Sequence, residues 1–289
     1  MRSIAIPVAD RGECAIALNT SFKLAKTLGA DVVGYHVLVE QEFLAEISTA
    51  QLWAGAGNGF PVWTMASEDE VNESAKNAET LFLRVAGNSK YKISKNGGKP
   101  GDPKATFKTV SGVLPQRLFT SKGALHDLIV VSRPRKGGGQ RAHVMMLSAL
   151  LDSPTPVMIL PQENVTVSGK NIVIAWNARQ PEAILVHSCL SLLKNAKKVT
   201  FMTVGKQEGK GPSGEDMTTY MNAHGINSAA ITVKGKKPEK VIESVVEDSN
   251  ADLLLSGAYS RGRMREIIFG GVTEYLLSET KLPVIMMHV

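Results

Sequence analysis

The 289-residue chain is 43% hydrophobic and 21% charged, with a formal net charge of +6, which suits a globular protein of one large or two ordinary domains. No apolar run approaches the ~20 residues of a membrane span. The basic excess lies in lysine-rich loops such as Lys234-Gly-Lys-Lys237 and Lys90-Tyr-Lys92 with little aromatic interleaving, so a solvated surface is expected and no nucleic-acid partner.

From the N-terminus, Met1-Arg2-Ser3 runs straight into a strand-like Ile-Ala-Ile, which leaves no room for a signal sequence and makes a cytoplasmic location the expectation. Strands rich in Val, Ile and Leu then alternate with helical patterns, the mark of parallel sheets covered on both faces. In the first part strands are expected near 3–8, 31–38, 104–110, 127–132 and 156–160, and helices near 13–28, 67–87, 114–124 and 141–151. A polar linker follows around Pro161 to Gly169. The second part has strands near 171–176, 198–204, 228–233, 251–256 and 283–288, and helices near 181–194, 214–224, 238–248 and 271–279. Pro181 and Pro238 suit first helical turns. Cys14 and Cys189 sit on apolar helical patterns without metal-ligand spacing and are expected to be reduced core thiols.

The two parts echo one another in order, as a tandem repeat should. Ser3-Ile-Ala-Ile-Pro-Val-Ala-Asp10 matches Asn171-Ile-Val-Ile-Ala-Trp-Asn177, and Asp31-Val-Val-Gly-Tyr-His-Val37 matches Lys198-Val-Thr-Phe-Met-Thr-Val204. His126–Ser132 echoes Asn250–Ser256, and Ser153–Leu160 echoes Thr280–Met287. Domains over 1–163 and 169–289 follow. The first is the longer, and its extra segment over 40–66 contains Ala54-Gly-Ala-Gly-Asn-Gly59-Phe-Pro-Val-Trp63, read as a surface loop or a cap over the partner domain.

One stretch joins residue type and spacing in a way that suggests a ligand. Leu253-Leu254-Leu255 ends in Ser256-Gly257-Ala258-Tyr259-Ser260-Arg261-Gly262, and Gly270-Gly271-Val272-Thr273 opens the next helix. Glycines after a buried strand allow close backbone approach, and glycines at a helix start leave amides and dipole free for a phosphate. Arg261, Arg263 and Arg265 alternate through the segment and could neutralise phosphate charge.

This stretch resembles the universal stress protein family, whose nucleotide-binding members carry a Gly-x2-Gly-x9-Gly-Ser/Thr pattern. Here the register reads Gly257-x2-Ser260-x9-Gly270-Gly271, with Ser260 in place of glycine and Gly271 in place of the hydroxyl residue. The resemblance implies an α/β fold of two tandem doubly wound parallel-sheet domains, Rossmann-like and of the adenine-nucleotide α-hydrolase type, related by a pseudo-two-fold axis. It also implies an adenine nucleotide, ATP, ADP or AMP, with Mg2+ accompanying it, bound one per chain in the second domain. Asn177 falls where the family has an aspartate on the adenine and ribose side, with Ala175 and Trp176 before it, and Val204 falls beside the base. Trp176 would either cover the base or belong to the core, and Tyr259 would pack on the ribose or be structural. Gly262 would supply the flexibility that Ser260 lacks.

In the first domain the corresponding run is Arg133-Pro134-Arg135-Lys136-Gly137-Gly138-Gly139-Gln140-Arg141, with Met145-Met146 about where the glycine pair should be. It reads as a degenerate copy, with a basic anion loop as the other possibility. The resemblance further implies that the last strands, Pro156–Leu160 and Pro283–Met287, pair antiparallel with each other, so that one chain imitates a dimer; a homodimer of chains would use helix or loop surfaces. No catalytic residues are assigned: His36, His126, His143, His187, His224 and His288 form no metal pattern, and no nucleophile elbow or P-loop is present. The alternatives to a nucleotide-binding stress protein are a signalling or structural stress protein without nucleotide, and a slow ATPase.

Overall fold

The computed structural model describes residues 1–9, 11–38, 67–134, 140–163, 167–235, 237–258, 260–261 and 268–288. Its first half runs β1 (Ser3–Pro7), α1 (Gly12–Leu28), β2 (Asp31–Val37), α2 (Glu68–Asn88), β3 (Lys92–Ile93), β4 (Lys104–Val110), α3 (Leu118–Lys122), β5 (Leu128–Ser132), α4 (Gln140–Asp152) and β6 (Val157–Leu160). Its second half runs β7 (Asn171–Ala175), α5 (Gln180–Ser188), α6 (Leu190–Leu193), β8 (Lys198–Val204), α7 (Gly214–Ala223), β9 (Ser228–Val233), α8 (Pro238–Asp248), β10 (Leu253–Gly257), α9 (Gly271–Ser278) and β13 (Val284–Met287), with a small ladder of β11 (Ser260–Arg261) and β12 (Ile268–Phe269) before α9. The expected helix near 114–124 is broken into a 3-10 turn at Pro115–Arg117, α3 and a second 3-10 turn at Gly123–Leu125. The helix expected near 181–194 divides at Cys189, whose backbone leaves the helical region. The glycine-rich run 54–63 lies outside the described residues. Among the described residues no helix is long and apolar enough to cross a membrane.

Among the described residues the main sheet has the order β3-β4-β2-β1-β5-β6-β13-β10-β7-β8-β9. All its pairings are parallel except β6 with β13. The order β4-β2-β1-β5-β6 in one half is mirrored by β9-β8-β7-β10-β13 in the other, which gives the pseudo-two-fold relation. Continuous apolar strands such as Val157–Leu160, wholly buried, demand cover on both faces, and helices provide it.

At the seam, Val284 pairs with Ile159, Ile285 with Met158 and Met286 with Val157. Each half thereby supplies the partner for the other's last strand, and neither apolar edge is left bare.

The hydrogen-bond register corrects one echo. Asp127 N donates to Ser3 O and Asp252 N to Asn171 O, both at 2.9 Å. The two carboxylates then accept from the chain entering each first strand, at Arg2 N (2.5 Å) and Lys170 N (3.1 Å). Asp127 therefore matches Asp252, and Ser132 matches Gly257, one residue later than the sequence echo had it. The similar strands conceal a one-residue shift that only backbone pairing reveals.

Arg133 follows β5 and is buried. Its Nη1 donates to Thr280 O (2.6 Å) and its Nη2 to Leu276 O (3.0 Å), so a cation sits on the C-terminal carbonyls of α9 in the other half. This corrects the reading of Arg133 as part of an anion loop, because its two terminal guanidinium nitrogens bond carbonyls across the seam; residues 135–139 lie outside the described residues. The counterpart of Arg133 is Ala258, whose N–H bonds Met287 O as Arg133's bonds Leu160 O, so this side chain has no equivalent in the second half.

Gly34 in β2 faces α2, and a Cβ there would lie 2.6 Å from Phe82 Cδ2 and 3.0 Å from Val8 Cγ2. Gly34→Ala is expected to cost about 1–3 kcal/mol by overpacking. Denaturant unfolding should show a lower midpoint at unchanged slope; a variant as stable as the parent would mean that Phe82 yields freely.

Candidate functional site

In the second half the carboxyl ends of β7, β8 and β10 open into a cavity of about 450 Å3, within the usual size range for small-molecule sites. Of the residues singled out from sequence, Ala175, Trp176, Asn177, Val204, Ser256, Gly257, Gly270, Gly271, Val272 and Thr273 all line it. Tyr259 and Gly262 lie outside the described residues, and of Ser260 and Arg261 only the backbone is described, in the β11–β12 ladder. Parallel strands end together at one edge of the sheet, which is why residues so far apart in sequence meet here.

Gly270 is the N-cap of α9, extended at φ −68° and ψ 155°, with no side-chain cap bond. A Cβ on either Gly270 or Gly271 would meet no atom of the described residues within 4 Å. Among the described residues nothing crowds the start of α9, and the helix dipole adds a favourable field for an anion.

The residues that follow β7 are more constrained than their sequence suggested. Trp176 is 2% exposed, packs edge-on against Phe201 and donates its indole N–H to Pro212 O (3.0 Å). Its ring belongs to the core, one of the two places the sequence left open for it. Asn177 is engaged through both polar atoms: Oδ1 accepts from Glu208 N (2.7 Å) and Nδ2 donates to Glu208 Oε2 (3.3 Å). Arg179 also pairs with the Glu208 carboxylate. Gly209 N donates to Asn177 O and Gly211 N to Ala178 O, so the loop after β8 docks along the loop after β7.

Sequence reasoning missed the acids of this cavity, Glu182, Glu208 and Glu239, which line it together with Arg179. Two carried a signal, since Glu182 and Glu239 each follow the proline that opens a helix. Glu182 is buried and its Oε2 accepts from Arg179 N (2.8 Å), closing the start of α5. Glu208 carried none, because its place depends on loop docking. Among the described residues no three His, Cys, Asp or Glu side chains converge to hold a metal.

The sequence of residues 173–288 matches the model of the universal stress protein family. These residues form a universal stress protein domain. No curated protein sequence matches the chain. Among solved structures, a universal stress protein from Archaeoglobus fulgidus is similar at 15% identity and a TM-score of 0.66, over 99% of this chain and 96% of that one. A putative universal stress protein from Pseudomonas aeruginosa is similar at 13% identity and a TM-score of 0.58, over 100% of this chain and 93% of that one. At these identities the likeness concerns fold, and it extends beyond the universal stress protein domain to the first half as well.

Proposed function

We propose that the chain is a tandem universal stress protein, with domains over 1–163 and 169–289, whose second domain binds one adenine nucleotide (ATP, ADP or AMP) in a stress response. The observation that carries this reading is the uncapped start of α9 at Gly270–Gly271, open to a cavity at the carboxyl edge of a universal stress protein domain. The phosphates would lie on those amides, with Ser256 and Gly257 beneath and Val204 toward the base. If ATP brings Mg2+, the phosphates would supply most of its ligands, with Glu208 or Glu239 contributing a carboxylate at most.

The engagement of Asn177 by Glu208 favours a second reading, a stress protein that has lost nucleotide binding. Heat denaturation of the purified protein followed by chromatography of the supernatant tests both. Released adenine nucleotide at one per chain supports the first. No nucleotide, together with no calorimetric binding of added AMP or ATP, supports the second.

Gly271 lacks the hydroxyl that the family motif carries, and a side chain there meets open space. Gly271→Ser is expected to strengthen ATP binding more than AMP binding, by about 1 kcal/mol for one added hydrogen bond. Equal gains for both nucleotides would show that the position does not face the outer phosphates.

A further inference from the structure

The first half also has a cavity at its carboxyl edge, of about 260 Å3, at the ends of β1, β2 and β5. It occupies the place that the nucleotide cavity holds in the second half, but its chemistry differs. Val157 and Val284 hold equivalent places beside β5 and β10, pairing with Ile129 and Leu254. Counting back from them sets Gly270 and Gly271 against His143 and Val144. Because α4 already begins at Gln140, Val144 lies inside the helix and its amide belongs to the helical ladder. The open amide cradle of the second half is therefore replaced by an additional helical turn. Met145 and Met146, which the sequence echo had set against the glycines, lie beyond them and line this cavity.

The remaining walls are largely apolar, with Ile6, Val8, Leu118 and Val130 among them. The Tyr35 hydroxyl is already paired with His126 Nε2 at 2.9 Å. Among the described lining residues Arg11 is the one Lys or Arg side chain, and it is exposed, so its charge remains solvated. Of the polar residues on the wall, His36 offers a ring nitrogen, beside the hydroxyls of Ser74 and Ser132. It is buried, and its Nδ1 lies 2.9 Å from Val8 O. A carbonyl only accepts, so Nδ1 carries a proton, and in the neutral ring Nε2 then keeps an acceptor lone pair.

We propose that this cavity is a second ligand site, for a small uncharged molecule with an apolar, ring-sized body and one hydroxyl or N–H donor directed to His36 Nε2. The volume falls just below the ~300–1,000 Å3 of drug-sized sites, which limits the occupant to one or two rings. A thioether-lined wall adapts to such bodies and makes favourable contacts with aromatic rings. The Val144 amide, which stands where Gly271 offers one in the second half, is spent in the helical ladder and gives an anion no donor there. This inference does not depend on nucleotide binding in the second half.

Cys14 lines the cavity and is half-buried, whereas Cys189 is fully buried with its thiol pushed up to about 12. Alkylation by iodoacetamide at neutral pH therefore reports on Cys14. The probe is 2-naphthol, with naphthalene as the analogue lacking the donor. Increasing 2-naphthol should slow Cys14 alkylation to a saturating limit, and saturating AMP should neither mimic nor relieve that protection. Met145→Trp, which fills the cavity from a partly exposed helical position, should abolish it. His36→Leu should weaken 2-naphthol binding about fivefold, the equivalent of one neutral hydrogen bond, and leave naphthalene binding unchanged. An alkylation rate indifferent to 2-naphthol, protection by AMP in its place, or protection that persists in Met145→Trp would each overturn the proposal.

Discussion

Gly270→Asp is expected to remove nucleotide binding from the second half without weakening the fold. The backbone at Gly270 is extended, at φ −68° and ψ 155°, and among the described residues a Cβ there meets nothing within 4 Å, so aspartate enters without strain. Aspartate is moreover a preferred N-cap, able to accept from the amides of the first turn of α9. Those are the amides assigned to the phosphates. The new carboxylate would occupy them and repel any phosphate that approached. A loss of at least about 100-fold in affinity, or roughly 2.7 kcal/mol, is expected for AMP and ATP alike, with a melting temperature equal to or above the parent's. Calorimetry on the variant and on Gly270→Ser, which caps without charge, separates the two contributions. Binding that survives Gly270→Asp would remove α9 from the site.

Arg133→Met is expected to be the most damaging single change at the seam between the halves. The guanidinium bonds Thr280 O and Leu276 O, and burial pushes its pKa below the ordinary value. Methionine keeps part of the side-chain volume but leaves both carbonyls without this donor. Charged hydrogen bonds contribute about 1.5–3 kcal/mol each before the cost of burying the cation is subtracted, so a net loss of about 2–4 kcal/mol is expected. Denaturant unfolding reads it as a lower midpoint. Arg133→Lys, which can reach one carbonyl but not both in a fork, should recover part of the loss. A methionine variant more stable than the parent would mean that desolvation outweighs the bonds. Because the same arginine holds the C-terminal end of the helix whose N-terminal end opens the second-half cavity, the variant should also bind AMP less tightly if that helix loosens.

The sheet strands were legible because a buried parallel strand must be apolar along its length, and runs such as Ile4–Ile6 or Leu253–Leu255 have few other uses. The glycine pair at 270–271 was legible for a related reason: an open helix start leaves a local trace in residue type. Lys92–Ile93 was not legible, since two residues carry no periodicity and pair only because β4 offers an edge. Trp176 presented an aromatic at a strand end, and nothing local told a base-stacking ring from one bonded to Pro212.

By itself, the sequence determined the alternation of strands and helices, the repetition of the scheme and the glycine pair that opens α9, all of which rest on local patterns of polarity and backbone freedom. The tertiary structure alone decided the one-residue shift between the halves, the destination of Arg133 on a carbonyl 147 positions away, the engagement of Asn177 by Glu208, and the apolar cavity left where α4 starts early. The physical reason is that a hydrogen bond depends on where two groups meet in space, and a side chain with several possible partners carries no local record of which one the fold brings to it.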